Sequence, residues 1–224
     1  MHSVRILLPL FLTALTAAAQ AQDSTRGLYG RLENGTYISA TGAFKIGSLV
    51  ESELGGTITD TPTVVTFQDD FTTLVSIGAF PHDATQRWEL ATRGIKDYLL
   101  YFFGDFVLPD FRQMFPETHA EEDARFLGNE MDGALVTFVL IPGGSMFAGK
   151  RPILLPSSKP PVAKRGNMIF VKNGFTFVIS TELAERVIEG TQYDRTPAQE
   201  DALLRGRLAA IAAKIQFTKP PAAP

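Results

Sequence analysis

Cysteine is absent from all 224 residues. The chain therefore has no disulfide, no thiolate metal site and no cysteine nucleophile, and a packed core has to hold it together. Tryptophan occurs once, at Trp88, and histidine three times, at His2, His82 and His119. So few imidazoles leave little material for a histidine-based metal centre. An excess of positive charge is missing too: 21 Lys+Arg stand against 24 Asp+Glu, a net charge of -3. That balance gives no electrostatic footprint for nucleic acid. Beyond the N-terminus no apolar run approaches the roughly 20 residues a bilayer span needs. Glycine-rich phosphate loops, dinucleotide fingerprints and calcium loops are likewise missing, and no cofactor is expected.

The residues that are present begin with an export signal. "MHSVRILLPLFLTALTAAAQAQ" places Arg5 before an apolar run from Ile6 to about Ala18, and Ala19 and Ala21 flank Gln20 in the pattern that signal peptidase reads. Residues 1–21 are expected to be cleaved, with an uncleaved anchor as the alternative. Loss of Arg5 leaves 20 bases against 24 acids, about -4. Residues 22–217 are long enough for one domain with its own core, and 218–224, ending "KPPAAP", read as a disordered tail.

Turn residues punctuate the first part of that domain. Asn34-Gly35 and Thr41-Gly42 separate short apolar alternations, and Val64 to Phe67 and Leu74 to Phe80 read as strands joined by Gln68-Asp69-Asp70. "TQRWELATRGIKDYLLYFFGDF" then predicts one long helix over 85–106. At 100° per residue Trp88, Ala91, Ile95, Tyr98, Leu99, Phe102 and Phe106 share a face. That stripe is read as core, with Asp83 or Thr85 capping the start and Pro109 ending the helix. Leu100 and Tyr101 lie off the stripe and are left to face a partner or the last helix. A hairpin comes next, from a short strand near Phe126 to a strong one from Leu135 to Ile141. The stretch 148–166 reads as a long Pro/Ser/Lys loop carrying Lys150, Arg151, Lys164 and Arg165. Asn173-Gly174 predicts a type I′ hairpin. Thr196, Pro197 and Gln199 predict the capped start of a last helix with a Leu204, Leu208, Ile211, Ile215 stripe. Strands in two groups, separated and closed by helices, predict an α+β domain with a mainly antiparallel sheet flanked by helices.

Few side chains offer chemistry. His82, with Asp83 adjacent, sits between a strand and the long helix, where Asp83 is a natural cap. His119 lies among Glu117, Glu121, Glu122 and Asp123 in what reads as a solvated loop. Ser145 follows Gly143-Gly144, but the second glycine of a nucleophile elbow is replaced by Phe147. The chain reads as non-catalytic. A secreted serine hydrolase using Ser145 with His82 or His119 is the alternative.

The opening Y-x-S-x-x-G-x-F-x-I pattern, made by Tyr37, Ser39, Gly42, Phe44 and Ile46, resembles PsbP-like proteins, as do "GFTFVIST" and the closing "LAAIAAKIQF". That family includes the extrinsic photosystem II protein, a eukaryotic Ran-release factor and many exported bacterial proteins. The resemblance implies an antiparallel sheet sandwiched by helices, in a binding or assembly factor without catalysis. Where the family commonly continues with Pro and Trp, this chain has Gly47-Ser48-Leu49, so no ligand-binding residue carries over. The expected partner is an envelope protein or a small ligand. The candidate surface comprises His82, Asp83, Leu100, Tyr101, Lys150, Arg151, Lys164 and Arg165.

Overall fold

The computed structural model describes residues 27–150 and 160–218. The expected signal, the tail beyond 218 and Arg151 lie outside the described residues, as does the side chain of Lys150.

Tight turns set the first sheet. Asn34 and Gly35 both take positive φ, at 49° and 73°, which matches the twist of the two strands they join, β1 (Arg31–Glu33) and β2 (Thr36–Ile38). With β3 (Phe44–Gly47) these form a small antiparallel sheet, closed on its other edge by the chain's last strand, Gln216–Phe217.

The main sheet contains β4 (Thr57–Asp60), β5 (Val64–Gln68), β6 (Leu74–Pro81), β7 (His119–Ala120), β8 (Arg125–Leu127), β9 (Ala134–Pro142), β10 (Val162–Lys172) and β11 (Phe175–Glu182). Its order is β4-β5-β6-β11-β10-β9-β7, with β8 also on β9, and every pair is antiparallel. The β10–β11 hairpin turns at Asn173-Gly174, with φ of 51° and 79°, as the type I′ reading requires. Its register, Lys172 opposite Phe175, stacks Phe170 on Phe177 with ring centroids 5.3 Å apart.

Helices cover both faces. The final helix (Pro197–Lys214) is capped as its sequence predicts: Thr196 accepts from the Gln199 amide, and the Gln199 side chain accepts from the Thr196 amide. Leu204, Leu208 and Ile211 lie with the small sheet over the face formed by Val136, Phe138, Met168, Phe170, Phe177 and Ile179. Gly166 permits this approach, because a Cβ there would sit 3.1 Å from both Leu204 Cβ and Leu208 Cδ1. The fold is an α+β domain of antiparallel sheets flanked by helices.

The opposite face meets a layer of three helices, α1 (Ala84–Arg93), α2 (Ile95–Phe102) and α3 (Leu108–Met114). The single helix expected over 85–106 is therefore corrected. Gly94 breaks it, at φ 76° and ψ 166°, a conformation that needs glycine. A π turn at Phe103–Val107 then inserts a residue into the helical register. One extra residue rotates the downstream turns by about 100°, so Val107 becomes buried and Phe106, nominally on the stripe, faces out. The same widening lets the helix continue past Pro109, which sits in the first turn of α3 instead of ending the helix. Trp88 does not join the core: it is 63% exposed, and α1 buries no residue. Tyr98, Leu99 and Phe102 do pack against the sheet as expected.

Two short segments complete the chain, α4 (Glu185–Ile188) and, with the last helix labelled α5, the strand β12 (Gln216–Phe217). Arg207 of α5 pairs with Glu185 of α4 and ties the two helices together.

Candidate functional site

Alternation along a strand sends neighbouring residues to opposite faces, and the two faces of the main sheet differ in chemistry. Beneath α5 the face is aliphatic and aromatic, apart from Thr181 and Lys164 towards one end. Beneath α1–α3 a row of polar side chains crosses five strands. Register places Thr66 opposite Ser76, Ser76 opposite Ser180, Ser180 opposite Asn167 and Asn167 opposite Thr137. All five are buried, and Asn167 is 0% exposed. Thr66 and Ser76 hydrogen-bond to each other at 3.0 Å.

Polar groups flank this row at both ends of β11. At the hairpin end Thr176 Oγ1 lies 2.8 Å from His82 Nε2 and 2.7 Å from the Tyr98 hydroxyl. The His82 ring meets Tyr98 edge to face, with centroids 5.8 Å apart. Burial, followed by the nearby Arg87 charge, depresses the His82 pKa, so the neutral imidazole is favoured. Burial pushes the Tyr98 phenol up to about 12. Asp83 caps α1, accepting from the Gln86 amide at 2.8 Å, while Arg87 donates to the His82 carbonyl at 2.7 Å.

At the far end Arg165 faces Glu182 directly across β10 and β11, with Nη2 3.2 Å from Oε2. Ser145 donates its hydroxyl to Glu182 Oε1 at 2.6 Å, and the Met146 amide donates to Oε2. The Arg165 guanidinium stands 5.7 Å from the Phe111 ring centroid.

Lys164 and Arg165 are therefore not on the surface loop the sequence suggests. Both belong to β10 and are buried on opposite faces of the sheet. Lys164, 0% exposed, is enclosed by Asp201 at 2.6 Å, Glu121 at 2.7 Å and Glu200 at 3.2 Å. Glu200 is also held by Arg186, whose Nη1 donates to both carboxylate oxygens at 2.6 and 2.8 Å. Burial alone would depress the Lys164 ammonium, but its hydrogen bonds to Asp201 and Glu121 outweigh that and hold its pKa above the ordinary value. This cage holds the start of α5 against the sheet and leaves no lysine there for a partner.

The remaining candidates divide between the two ends. Leu100 is exposed on α2, and half-buried Tyr101 lies under the Arg93 guanidinium at 4.5 Å and edge-on to Phe106 at 5.7 Å. Lys150 ends a short 3-10 turn, Ala148–Lys150. Ser145, 9% exposed, is bonded to Glu182 and to the Phe147 amide. His82 lies at the other end of β11, about 20 Å away along the strand. The exposed His119 ring bonds the Glu117 carbonyl at 3.0 Å. The structure thus does not bring Ser145 and His82 together. Among the described residues no three His, Asp or Glu side chains could hold a metal ion.

The sequence reading missed Thr137, Asn167 and Ser180, and the cage acids Glu200 and Asp201. Their signal was a polar residue set at the centre of each of three strong strands, which only the strand register aligns.

No protein-family model matches the chain, and no curated protein does. Among solved structures, a protein from Bacteroides thetaiotaomicron aligns over 83% of this chain at 10% identity and a TM-score of 0.36. The chain spans 49% of that protein's length. The Saccharomyces cerevisiae Ran-binding protein Mog1p aligns over 84% of this chain and 96% of its own, at 10% identity and a TM-score of 0.43. These are distant likenesses, and the architecture rests on the chain's own strand pairing. Among the described residues no helix is long and apolar enough to cross a membrane.

Proposed function

We propose that the chain is an exported, non-catalytic binding protein of the cell envelope, a divergent relative of PsbP-like proteins, that docks a partner protein on the outer face of α1–α3. Export rests on the signal pattern of residues 1–21, and the PsbP-like kinship on the Tyr37–Ile46 pattern and the closing helix. One observation carries the docking face. Trp88, Leu100, Phe106 and Met114, four of the eight large apolar side chains exposed among the described residues, lie on this one helical layer. Isolated exposed apolar residues are ordinary, and it is their concentration on one layer that supports a docking face there. Tyr101, with Arg93 across its ring, adds the aromatic and arginine character common in interface anchors.

The test is site-specific photo-cross-linking in intact envelopes. A cross-linker replacing Phe106 is expected to trap one discrete adduct, and one replacing the exposed Ala209 on the outer face of α5 is expected to trap none. Equal adduct patterns at the two positions would remove the helical layer as the docking face.

A further inference from the structure

Thr66 and Ser76 satisfy each other, but the other three members of the polar row do not. Asn167 Nδ2 and Oδ1, Ser180 Oγ and Thr137 Oγ1 have no hydrogen-bond partner among the described residues, and neither has Arg165 Nε one row along. The three side chains stand side by side on β9, β10 and β11, the centre of the sheet. Buried polar atoms are almost always paired, and each orphan is destabilising, so a cluster of them calls for an occupant. The opposite face of the same strands shows the alternative: Val136, Met168 and Ile179, with no polar atom to satisfy.

The helical layer places its irregular part over this row. Tyr98 meets Thr176 at one end and Phe111 meets Arg165 at the other. From Tyr98 to Phe111 the helical path is about 20 Å, and from Thr176 to Glu182 the strand covers about the same. The π turn at Phe103–Val107 therefore lies above the Thr137–Asn167–Ser180 row. Such turns recur at functional sites. Phe103, Val107 and Phe111 supply an apolar roof.

We infer that Thr137, Asn167 and Ser180 form the polar floor of a binding site for a small uncharged molecule carrying amide or hydroxyl groups. The Asn167 carboxamide offers two donors and an acceptor, and the two hydroxyls beside it can each do either. A charged ligand is disfavoured, because Glu182 already neutralises Arg165 and the roof is apolar. The site deepens the binding-protein reading but does not depend on docking at α1–α3.

Acetamide and glycerol serve as probes, titrated into the purified protein while the Asn167 side-chain amide is followed by NMR. The expected result is a saturable shift of that signal with at least one probe, lost when Thr137→Val and Ser180→Ala are combined, a variant that keeps the reporting amide. Asn167→Leu is expected to raise Tm by about 2 °C or more, since it removes orphaned atoms from an apolar surround. The Thr137→Val, Ser180→Ala variant is expected to raise Tm as well. Absence of a saturable shift, or a fall in Tm in either variant, would overturn the inference and leave the row as a water-filled structural network. Cross-linking from Phe106 that persists in Asn167→Leu separates failure of this site from failure of the docking face.

Discussion

Replacing Lys164 by Met removes one buried charge at nearly constant volume, and the cage around it sets the cost. Glu200 keeps its two bonds to Arg186, and Glu121 has some access to solvent, so the penalty falls mainly on Asp201, whose side chain is 9% exposed and 2.6 Å from the ammonium. Removing one partner of a buried pair costs about 3–5 kcal/mol. Lys164→Met should therefore lose about 3–4 kcal/mol in urea unfolding at pH 7, roughly a 10 °C fall in Tm. A loss below about 1 kcal/mol would refute the view of Lys164 as an internal pin between β10 and α5.

Two further perturbations probe the faces of the sheet. Gly166→Val places methyl groups against Leu204 and Leu208, where even a Cβ is 3.1 Å away. It should cost about 2–3 kcal/mol in denaturant unfolding, and a neutral result would contradict the close docking of α5. His82, held below its ordinary pKa of 6.5, takes up its proton later in the folded chain than in the unfolded one. Its contribution is complete above about pH 6.5 and is lost as the pH falls from there through the folded value. His82→Gln should flatten the stability profile between pH 7 and 5, and an unchanged slope would deny His82 that role.

Local chemistry made much of the fold readable. Asn173-Gly174 fixes its hairpin from two residues, and Thr196, Pro197 and Gln199 fix the start of α5 from three. The α1–α3 layer was harder because its stripe looks continuous at 100° per residue. Gly94 and the π turn at Phe103–Val107 each reset the phase, so Trp88 and Phe106 leave the core and Val107 enters it. Lys164 and Arg165 were misplaced because a proline-rich stretch runs directly into β10, and charge near such a stretch resembles a solvated loop. Glu200 and Asp201 read as ordinary acids in a first helical turn, and their burial is explained by the arrival of Lys164 from a distant strand and, for Glu200, by Arg186 as well. Thr137, Asn167 and Ser180 are separated along the chain, so their juxtaposition exists only in the strand register.

Acrylamide quenching of tryptophan fluorescence tests the outward-facing helical layer most directly, because Trp88 is the chain's single tryptophan. Trp88 in the purified, dilute protein is expected to be quenched almost as readily as in the unfolded chain, and to become shielded when a protein docked on the proposed face is present. A Trp88 already shielded in the dilute protein would contradict that expectation, and would return that ring to the core.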